Sequence, residues 1–506
     1  MSDVYIAGVG LTKFGKSPLS LVELLAEAAT AALAASPVQE IDAVYLGAMN
    51  PEEFTGASNI AAQIVETLGI TGIPAMRVET ASSAGAAAVH AACHAVAAGY
   101  HRTVLVLGGE KMTHLTTSAA TRILAEVIEA QERACGATMP ALAAMITERY
   151  RQRYRLSNSD LERALCAVAM KNHANGARNA FAQFQKPITK EIYLASKLVS
   201  TPLRLYDCSP ITDGAAAVLV TAEKTDLRIA GLGQGTGPAG LRERDSFTSF
   251  EPTRMAAERA YRMAGITPKD IDFAEVHDAF TSFEIISTED LGFFPAGKGW
   301  QPVAEGKTAP DGQLPINVSG GLKARGHPVG ASGVAQVVEV ARLMRGQGGV
   351  KLKREPRRGL AQSTGGLGAN NLVTIVERAD SAASVQRAPL PPEAKAIKRR
   401  KNAPAKRSEE GTIETFTILY VTPDGFLPPL ALALIRDKSD ELVMAQGEDL
   451  AHLKIGRDVF LRQLDGGYVF TVKSHLDQVK QALDRLIRAL PRGEKDKKAR
   501  GGEERR

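Results

Sequence analysis

No Cys-x-x-Cys pair occurs in this 506-residue chain, and its four cysteines, Cys93, Cys135, Cys166 and Cys208, lie far apart. That spacing implies neither a zinc site nor a disulfide framework. No basic segment followed by an apolar one opens the sequence, and no apolar run reaches bilayer-spanning length. The final residues, Gly502-Glu503-Glu504-Arg505-Arg506, are not a peroxisomal tripeptide. These absences set the expectation of a cytoplasmic protein with no metal and no membrane insertion. Net positive charge is also missing from most of the chain. The net charge is +6, but residues 379–408 carry eight Lys/Arg against two Asp/Glu, and residues 492–506 carry seven against four. The remainder is mildly acidic, so charge gives no argument for a nucleic-acid partner.

What is present is globular. Hydrophobic content is 44% and charged content 23%, and the length predicts two to four domains. Apolar stretches at Val4–Gly8, Ala43–Met49, Ala75–Thr80 and Thr103–Leu107 read as strands. Between them, Ser20-Leu21-Val22-Glu23 is a capping box opening a helix to about Ala35, and an alanine-rich helix follows Gly85. Strands without alternation, interleaved with helices, predict a parallel sheet covered on both faces. Residues 113–205 read as a largely helical insertion over that sheet, and the strand pattern resumes at Asp213–Thr221.

A second copy of the pattern then begins: a strand at Leu227–Ala230, a helix at Pro252–Ala264, a strand at Phe273–Val276, and a closing segment Gly365–Glu377. The expected organisation is an N-terminal half (1–225), a related C-terminal half (226–378), a basic linker (379–409), a small barrel of five short strands (410–475), and a helix with a charged tail (476–506). The barrel aromatics Phe416, Tyr420, Phe460, Tyr468 and Phe470 could stack bases, but in so small a barrel they are expected in its core.

Chemistry concentrates in loops that follow strands. Ser319-Gly-Gly-Leu-Lys-Ala-Arg-Gly-His-Pro-Val-Gly-Ala-Ser-Gly333 reads as a glycine-rich loop between a strand ending at Val318 and a helix starting at Val334. It presents His327. His277 follows the Phe273–Val276 strand, at the carboxyl edge where such sheets bind ligands. Ser363-Thr-Gly-Gly366 forms a third loop. Glu79-Thr-Ala-Ser-Ser-Ala-Gly85 forms a fourth at the mouth of a helix, whose N-terminus favours developing negative charge. Ser82-Ser83 can also be read simply as a helix N-cap.

Gly326-His327-Pro328 with its flanking glycines and Val276-His277-Asp278-Ala279-Phe280 resemble the thiolase superfamily. Lys171-Asn-His-Ala-Asn-Gly176 and Asp207-Cys-Ser-Pro-Ile-Thr-Asp-Gly-Ala-Ala-Ala217 add to the likeness. The nearest type is the sterol-carrier-protein-associated thiolase, which has His-Asp-x-Phe where other thiolases have Asn-Glu-x-Phe. The resemblance covers residues 1–378. Residues 410–475 resemble the acyl-CoA-associated OB-fold domain that accompanies such enzymes, without its zinc ribbon. The resemblance implies an α/β fold built from two repeated βα halves with a helical loop insertion, followed by an OB-type barrel. It also implies a homodimer or larger assembly pairing through the nucleophile half, where Thr103–Leu107 would otherwise be an open edge.

The substrate implied is an acyl-CoA thioester, with coenzyme A as part of it and no separate cofactor. His327 is implied as the base, and His277 as a binder of the thioester oxygen, with Gly326, Gly365 and Gly366 shaping the oxyanion loops. The family's nucleophilic Cys falls at Ser82, and a second Cys near Ser363. Neither is present. A thiolate is accessible from a pKa of about 8.5, whereas Ser requires a base at the moment of attack. An oxoester on Ser82 would hand its acyl group back to CoA uphill. Retro-aldol cleavage of a β-hydroxyacyl-CoA needs no nucleophile, only a base and an oxyanion site. Acyl transfer through Ser82, retro-aldol cleavage and a non-catalytic acyl-CoA or lipid scaffold therefore remain as readings, with retention of both histidines counting against the last.

Overall fold

The computed structural model describes residues 3–381, 408–464 and 467–474. Nine strands form one sheet in the order Ala75–Val78, Ala43–Gly47, Thr103–Glu110, Gly214–Thr221, Tyr5–Leu11, Leu227–Thr236, Asn370–Arg378, Arg358–Gly365, Phe273–Glu275. Ala43–Gly47 runs parallel to both its neighbours, and Phe273–Glu275 runs parallel to Arg358–Gly365. Every other neighbouring pair is antiparallel. The sheet is therefore mixed, not parallel. Unbroken apolar runs report burial on both faces, and these strands have it whatever their direction.

The order repeats. In the first half a strand (Tyr5–Leu11), a helix (Leu21–Ala34) and a strand (Ala43–Gly47) are followed by a helix (Ala84–Ala97) and two more strands, Thr103–Glu110 and Gly214–Thr221. The second half runs Leu227–Thr236, helix Glu251–Ala264, Phe273–Glu275, helix Val329–Met344, Arg358–Gly365 and Asn370–Arg378. Each half has the same strand order outward from the junction, where Tyr5 and Ile6 pair with Arg228 and Leu227. Ile316, bridged to Ala274, occupies the outermost place that Ala75–Val78 holds in the first half. Thr103–Glu110 is consequently an interior strand, and the edge of the first half is Ala75–Val78. The apolarity that suggested an edge in need of cover is that of a strand already covered.

Local rules set the outer helices. Ser20 caps Leu21–Ala34: its Oγ accepts from the Glu23 amide at 3.3 Å, and the Glu23 carboxylate accepts from the Ser20 amide at 2.7 Å. The inner helices, Ala84–Ala97 and Val329–Met344, share one apolar core with strands of both halves. Every residue of Val329–Met344 except Arg342 is buried.

Helices between Thr117 and Ala195 build a second core together with Phe250, Phe280 and Phe283. That core continues into the C-terminal barrel through Leu419, Leu432, Leu434 and Met444. The barrel closes in the order Leu430–Asp437, Leu442–Gly447, Gly467–Val472, Asp458–Leu464, Glu410–Leu419, with the last pairing back to the first. Its Thr415 hydroxyl donates to the Met145 carbonyl at 2.9 Å, Thr417 and Ser200 share a 2.6 Å hydroxyl pair, and Arg149 meets Glu414 at 3.0 Å. Of the barrel aromatics, Phe470 is core and Phe416 and Tyr468 pack against it, but Tyr420 and Phe460 are exposed. Strand alternation turns Phe460 outward, with a Lys473 ammonium 4.6 Å over its ring, and Tyr420 stands just past the end of its strand. The expected tail helix and most of the linker lie outside the described residues.

The sequence predicts that protease cuts first within the linker. Because barrel and helices share a core, the nicked halves should co-elute on size exclusion. A barrel that separates freely would contradict this packing.

Candidate active site

Two glycines let the two halves meet. A Cβ on Gly85 would lie 2.5 Å from the Gly330 carbonyl oxygen, and one on Gly333 would lie 2.3 Å from the Ala86 amide nitrogen. Helices Ala84–Ala97 and Val329–Met344 thus cross in backbone contact at their first turns. Ser82 stands three residues before Gly85, and His327 stands three residues before Gly330, so the crossing brings both helix mouths to one place. The second helix begins at Val329, five residues earlier than the glycine string suggested, and Gly321–Arg325 is a short helix of its own. Gly330 and Gly333 act here as close-packing helical residues rather than as loop formers.

His277 and His327 lie edge to face, with ring centroids 5.1 Å apart at an interplanar angle of 88°. Both are buried. The Ser332 hydroxyl donates to the Pro328 carbonyl at 2.9 Å and lies 2.7 Å from His327 Nδ1. With that proton committed to the carbonyl, Nδ1–H is the donor to Ser332, which leaves the lone pair on Nε2. Burial, followed by the Arg325 charge, pushes the His327 pKa down to about 3. Burial, followed by His327 and Arg325, drops that of His277 well below its usual value. Both rings are neutral at physiological pH, and Nδ1 of His277 has no protein partner.

A buried polar frame holds the two histidines. Asp278 accepts from the Leu322 amide at 2.6 Å and from Asn172 Nδ2 at 2.7 Å, anchoring the short helix that leads to His327. A Cβ on Gly321 would lie 2.4 Å from the Asp278 carboxylate, which explains that glycine. Asn172 and Asn317 both donate to Glu284 at 2.8 Å, and Lys171 pairs with Glu284 at 2.9 Å. Asn317 Oδ1 accepts the Val276 amide at 2.8 Å, and Gln362 Oε1 accepts the His277 amide at 2.9 Å. The Thr212 hydroxyl accepts the His327 amide at 3.0 Å. The Lys171–Gly176 and Asp207–Ala217 motifs therefore supply the frame. Asn172, Thr212, Ser332 and Gln362 were given no role from sequence, because buried amides and hydroxyls carry no pattern of their own.

The remaining site residues gather at this place. Gly365 packs on the Ser82 loop: a Cβ there would lie 2.1 Å from the Thr80 carbonyl oxygen and 2.5 Å from Ser83 Oγ. Gly366 has φ +60° and Gly326 φ +115°, both left-handed. Ser363 is buried with an unpartnered hydroxyl, and the parallel register of Gly359, Leu360 and Ala361 with Phe273, Ala274 and Glu275 carries it alongside His277. Ser82 is half-buried and follows Ala81, whose φ is +54°. The N-cap reading holds for position only: the cap residue is Ser83, but its hydroxyl turns back to the Thr80 carbonyl at 2.7 Å and does not cap the helix. No cysteine substitutes for the missing thiolate. Cys93 is buried in mid-helix, burial pushes Cys166 up to about 11 and Cys208 up to about 12, and Cys135 is also raised. Among the described residues no cluster of His, Cys, Asp or Glu could hold a metal, and no helix is long and apolar enough to cross a membrane.

The repeated βα fold with two buried histidines near the helix crossing is that of a known family, which comparison with known proteins gives. Residues 4–224 match the thiolase N-terminal domain and residues 233–378 the thiolase C-terminal domain-like family. The chain belongs to the thiolase family. It is 38% identical over 390 residues to an acetyl-CoA acetyltransferase of Methanothermobacter thermautotrophicus, covering 75% of this chain and 100% of that one. It is 34% identical over 377 residues to the benzoylsuccinyl-CoA thiolase subunit BbsB of Thauera aromatica, covering 72% and 94%. Among solved structures, an Ltp2-ChsH2(DUF35) aldolase matches with a TM-score of 0.64 at 25% identity, over 76% of this chain and 99% of that one. A monomeric SCP2-thiolase like protein of Mycobacterium smegmatis has the same fold, with a TM-score of 0.70 at 18% identity, over 93% and 99%.

Gly333→Ala, whose Cβ would lie 2.3 Å from the Ala86 amide nitrogen, should cost about 1–3 kcal/mol, the usual penalty for overpacking, measured by denaturant unfolding. Unchanged stability would mean the helices do not cross as closely as described.

Proposed function

We propose that the protein makes or breaks the bond between Cα and Cβ of an acyl-CoA by aldol chemistry, without a covalent acyl-enzyme. The observation that carries this reading is a neutral histidine pair beside a loop that offers the hydroxyls of Thr80, Ser82 and Ser83 and no thiol. In the cleavage direction, His327 Nε2 takes the proton of the β-hydroxyl. The Cα–Cβ bond breaks, its electron pair passes into the thioester enolate, and a carbonyl compound leaves. A ring N–H of His277 donates to the enolate oxygen as charge develops there, in a site with little water to compete. The proton is then returned to Cα, giving the shortened acyl-CoA. Nothing in this sequence needs a thiolate.

The likeness to the Ltp2-ChsH2(DUF35) aldolase supports the reading. So does the barrel, which we infer to be of OB type. Numbered along the chain, its strands close in the order 1-2-3-5-4-1, with the third and fifth parallel. A second reading, acyl transfer through Ser82, is favoured by the relative named acetyl-CoA acetyltransferase and by the position of Ser82 at a helix mouth. It requires an oxoester to pass its acyl group to CoA.

Replacement separates the two. Under aldol chemistry Ser82→Ala should keep turnover within a few-fold, while His327→Ala should lose on the order of 10²–10⁴-fold, the share of a general base. Abolition of turnover by Ser82→Ala in steady-state assays would return the protein to acyl transfer.

A further inference from the structure

The segment between strand Leu227–Thr236 and helix Glu251–Ala264 carries two arginines two residues apart, and they are held differently. Arg242 pairs with Glu129 at 3.4 Å and with Glu243 at 3.3 Å. Arg244 is half-buried, and its hydrogen bond runs from Nη2 to the Leu367 carbonyl. Among the described residues it meets no carboxylate at ion-pair distance. Glu132 is the acid that acts on it, but Glu132 Oε1 already accepts the Arg242 amide at 2.9 Å. Burial pushes the Arg244 pKa down to about 10, and Glu132 offsets this only in part. A desolvated guanidinium without a counter-ion is costly, and it presents a planar fork of donors matched to a carboxylate.

Its surroundings are otherwise apolar and lead to the histidines. Leu367 belongs to the turn that follows Gly365, which packs on the Ser82 loop. Leu241, Phe247 and Leu367 share one apolar core with Phe250, Phe280 and Phe283. The last three form a continuous run of rings. Phe280 stands three residues after His277, its ring centroid lies 5.1 Å from that of Phe283, and Phe283 lies 4.8 Å from Phe250. Phe250 ends the run against Gly368, next to Leu367, where an added Cβ would lie 2.6 Å from the ring. An apolar, aromatic lining with one cation at its end suits an apolar chain that finishes in an anion.

We propose that Arg244 is a specificity-determining residue that binds a carboxylate at the far end of the substrate's acyl chain, so that the preferred substrates are CoA thioesters of dicarboxylic acids. This rests on the reading of the protein as an enzyme of acyl-CoA carbon–carbon chemistry. The thioester end is held at His277, the chain runs along the three rings, and the terminal carboxylate takes the guanidinium nitrogens not bonded to Leu367. The Leu367 bond fixes the plane of the guanidinium before the ligand arrives, which lowers the entropy cost of gripping it. It also ties the far end of the chain to the turn beside Gly365, so that a chain ending in a carboxylate is aligned at its reacting end. Burial raises the pKa of Glu132, which weakens its repulsion of an incoming carboxylate. The phosphates of coenzyme A are the other anions on such a substrate. They carry more charge and would be desolvated against an apolar core that offers them a single cation.

The test is isothermal titration calorimetry of the full-length protein with glutaryl-, adipyl- and pimelyl-CoA, each against the monoacid of equal chain length, pentanoyl-, hexanoyl- and heptanoyl-CoA. None carries the β-oxygen on which the aldol reaction depends, so binding is read without that turnover. In the wild type at least one diacid should bind about tenfold tighter than its monoacid, the worth of one hydrogen bond between charged groups. In Arg244→Gln, which keeps a donor for Leu367, that preference should vanish. A wild-type protein with no preference at any of the three lengths overturns the proposal, as does a preference that survives in Arg244→Gln. Equal loss of diacid and monoacid binding in Arg244→Gln would assign the arginine to the phosphates of coenzyme A and overturn it as well. If Arg244→Gln does not fold, Arg244→Lys takes its place. It keeps the charge but cannot grip a carboxylate with two parallel bonds, and it should lower the preference. Failure of the aldol reading would show separately, as turnover surviving His327→Ala, since these titrations do not depend on activity.

Discussion

Backbone contact between two buried helices is the constraint on which the site depends. Gly85 and Gly333 let the helices of the two halves touch at their first turns, and no side chain could be added at either without displacing the other helix. The contact aligns the two helix mouths, which carry Ser82 and His327. It also explains why the inner helix Val329–Met344 is buried on nearly every face: it is packed against the other half as well as its own sheet. His277 arrives from the strand beside it, and the register of Phe273–Glu275 with Arg358–Gly365 brings Ser363 and the Gly365 turn to the same point.

Around that contact the protein spends an unusual amount of buried polarity. Asn172, Asp278, Glu284 and Asn317 form a closed network that no solvent reaches. Buried networks of this kind specify one geometry rather than adding much stability. Here the geometry specified is the relative position of two imidazoles carried on different segments of the chain. The barrel contributes at a distance. It shares the apolar core that includes Phe280 and Phe283, next to the His277 loop, and so braces the site without reaching it.

The repeated βα pattern, the five barrel strands and the two histidines were legible because each rests on local signals: apolar runs, turn residues, and a His set in a glycine string. Strand direction was not legible, since burial on both faces gives the same apolar run in parallel and antiparallel strands. Thr103–Leu107 was misread as an edge because an apolar strand reads the same whether a neighbouring strand or another subunit covers it. Glycines 330 and 333 were misread as loop because close helix packing and tight turning both select glycine. Arg325 was hidden in plain view, since an arginine in a loop-like string is ordinarily solvated, and only the fold shows it buried two residues from His327. Ser82 was placed correctly at a helix mouth, but whether it carries an acyl group is a question of reactivity and not of position.

The central claim is that carbon–carbon chemistry proceeds here with no covalent link to the enzyme. Intact-protein mass spectrometry during turnover, across acyl-CoAs and β-hydroxyacyl-CoAs of several chain lengths, tests it most directly. The account predicts an unchanged protein mass at every time point while product forms. A mass increase equal to the acyl group, mapped to Ser82 and discharged by CoA at the rate of turnover, would contradict it.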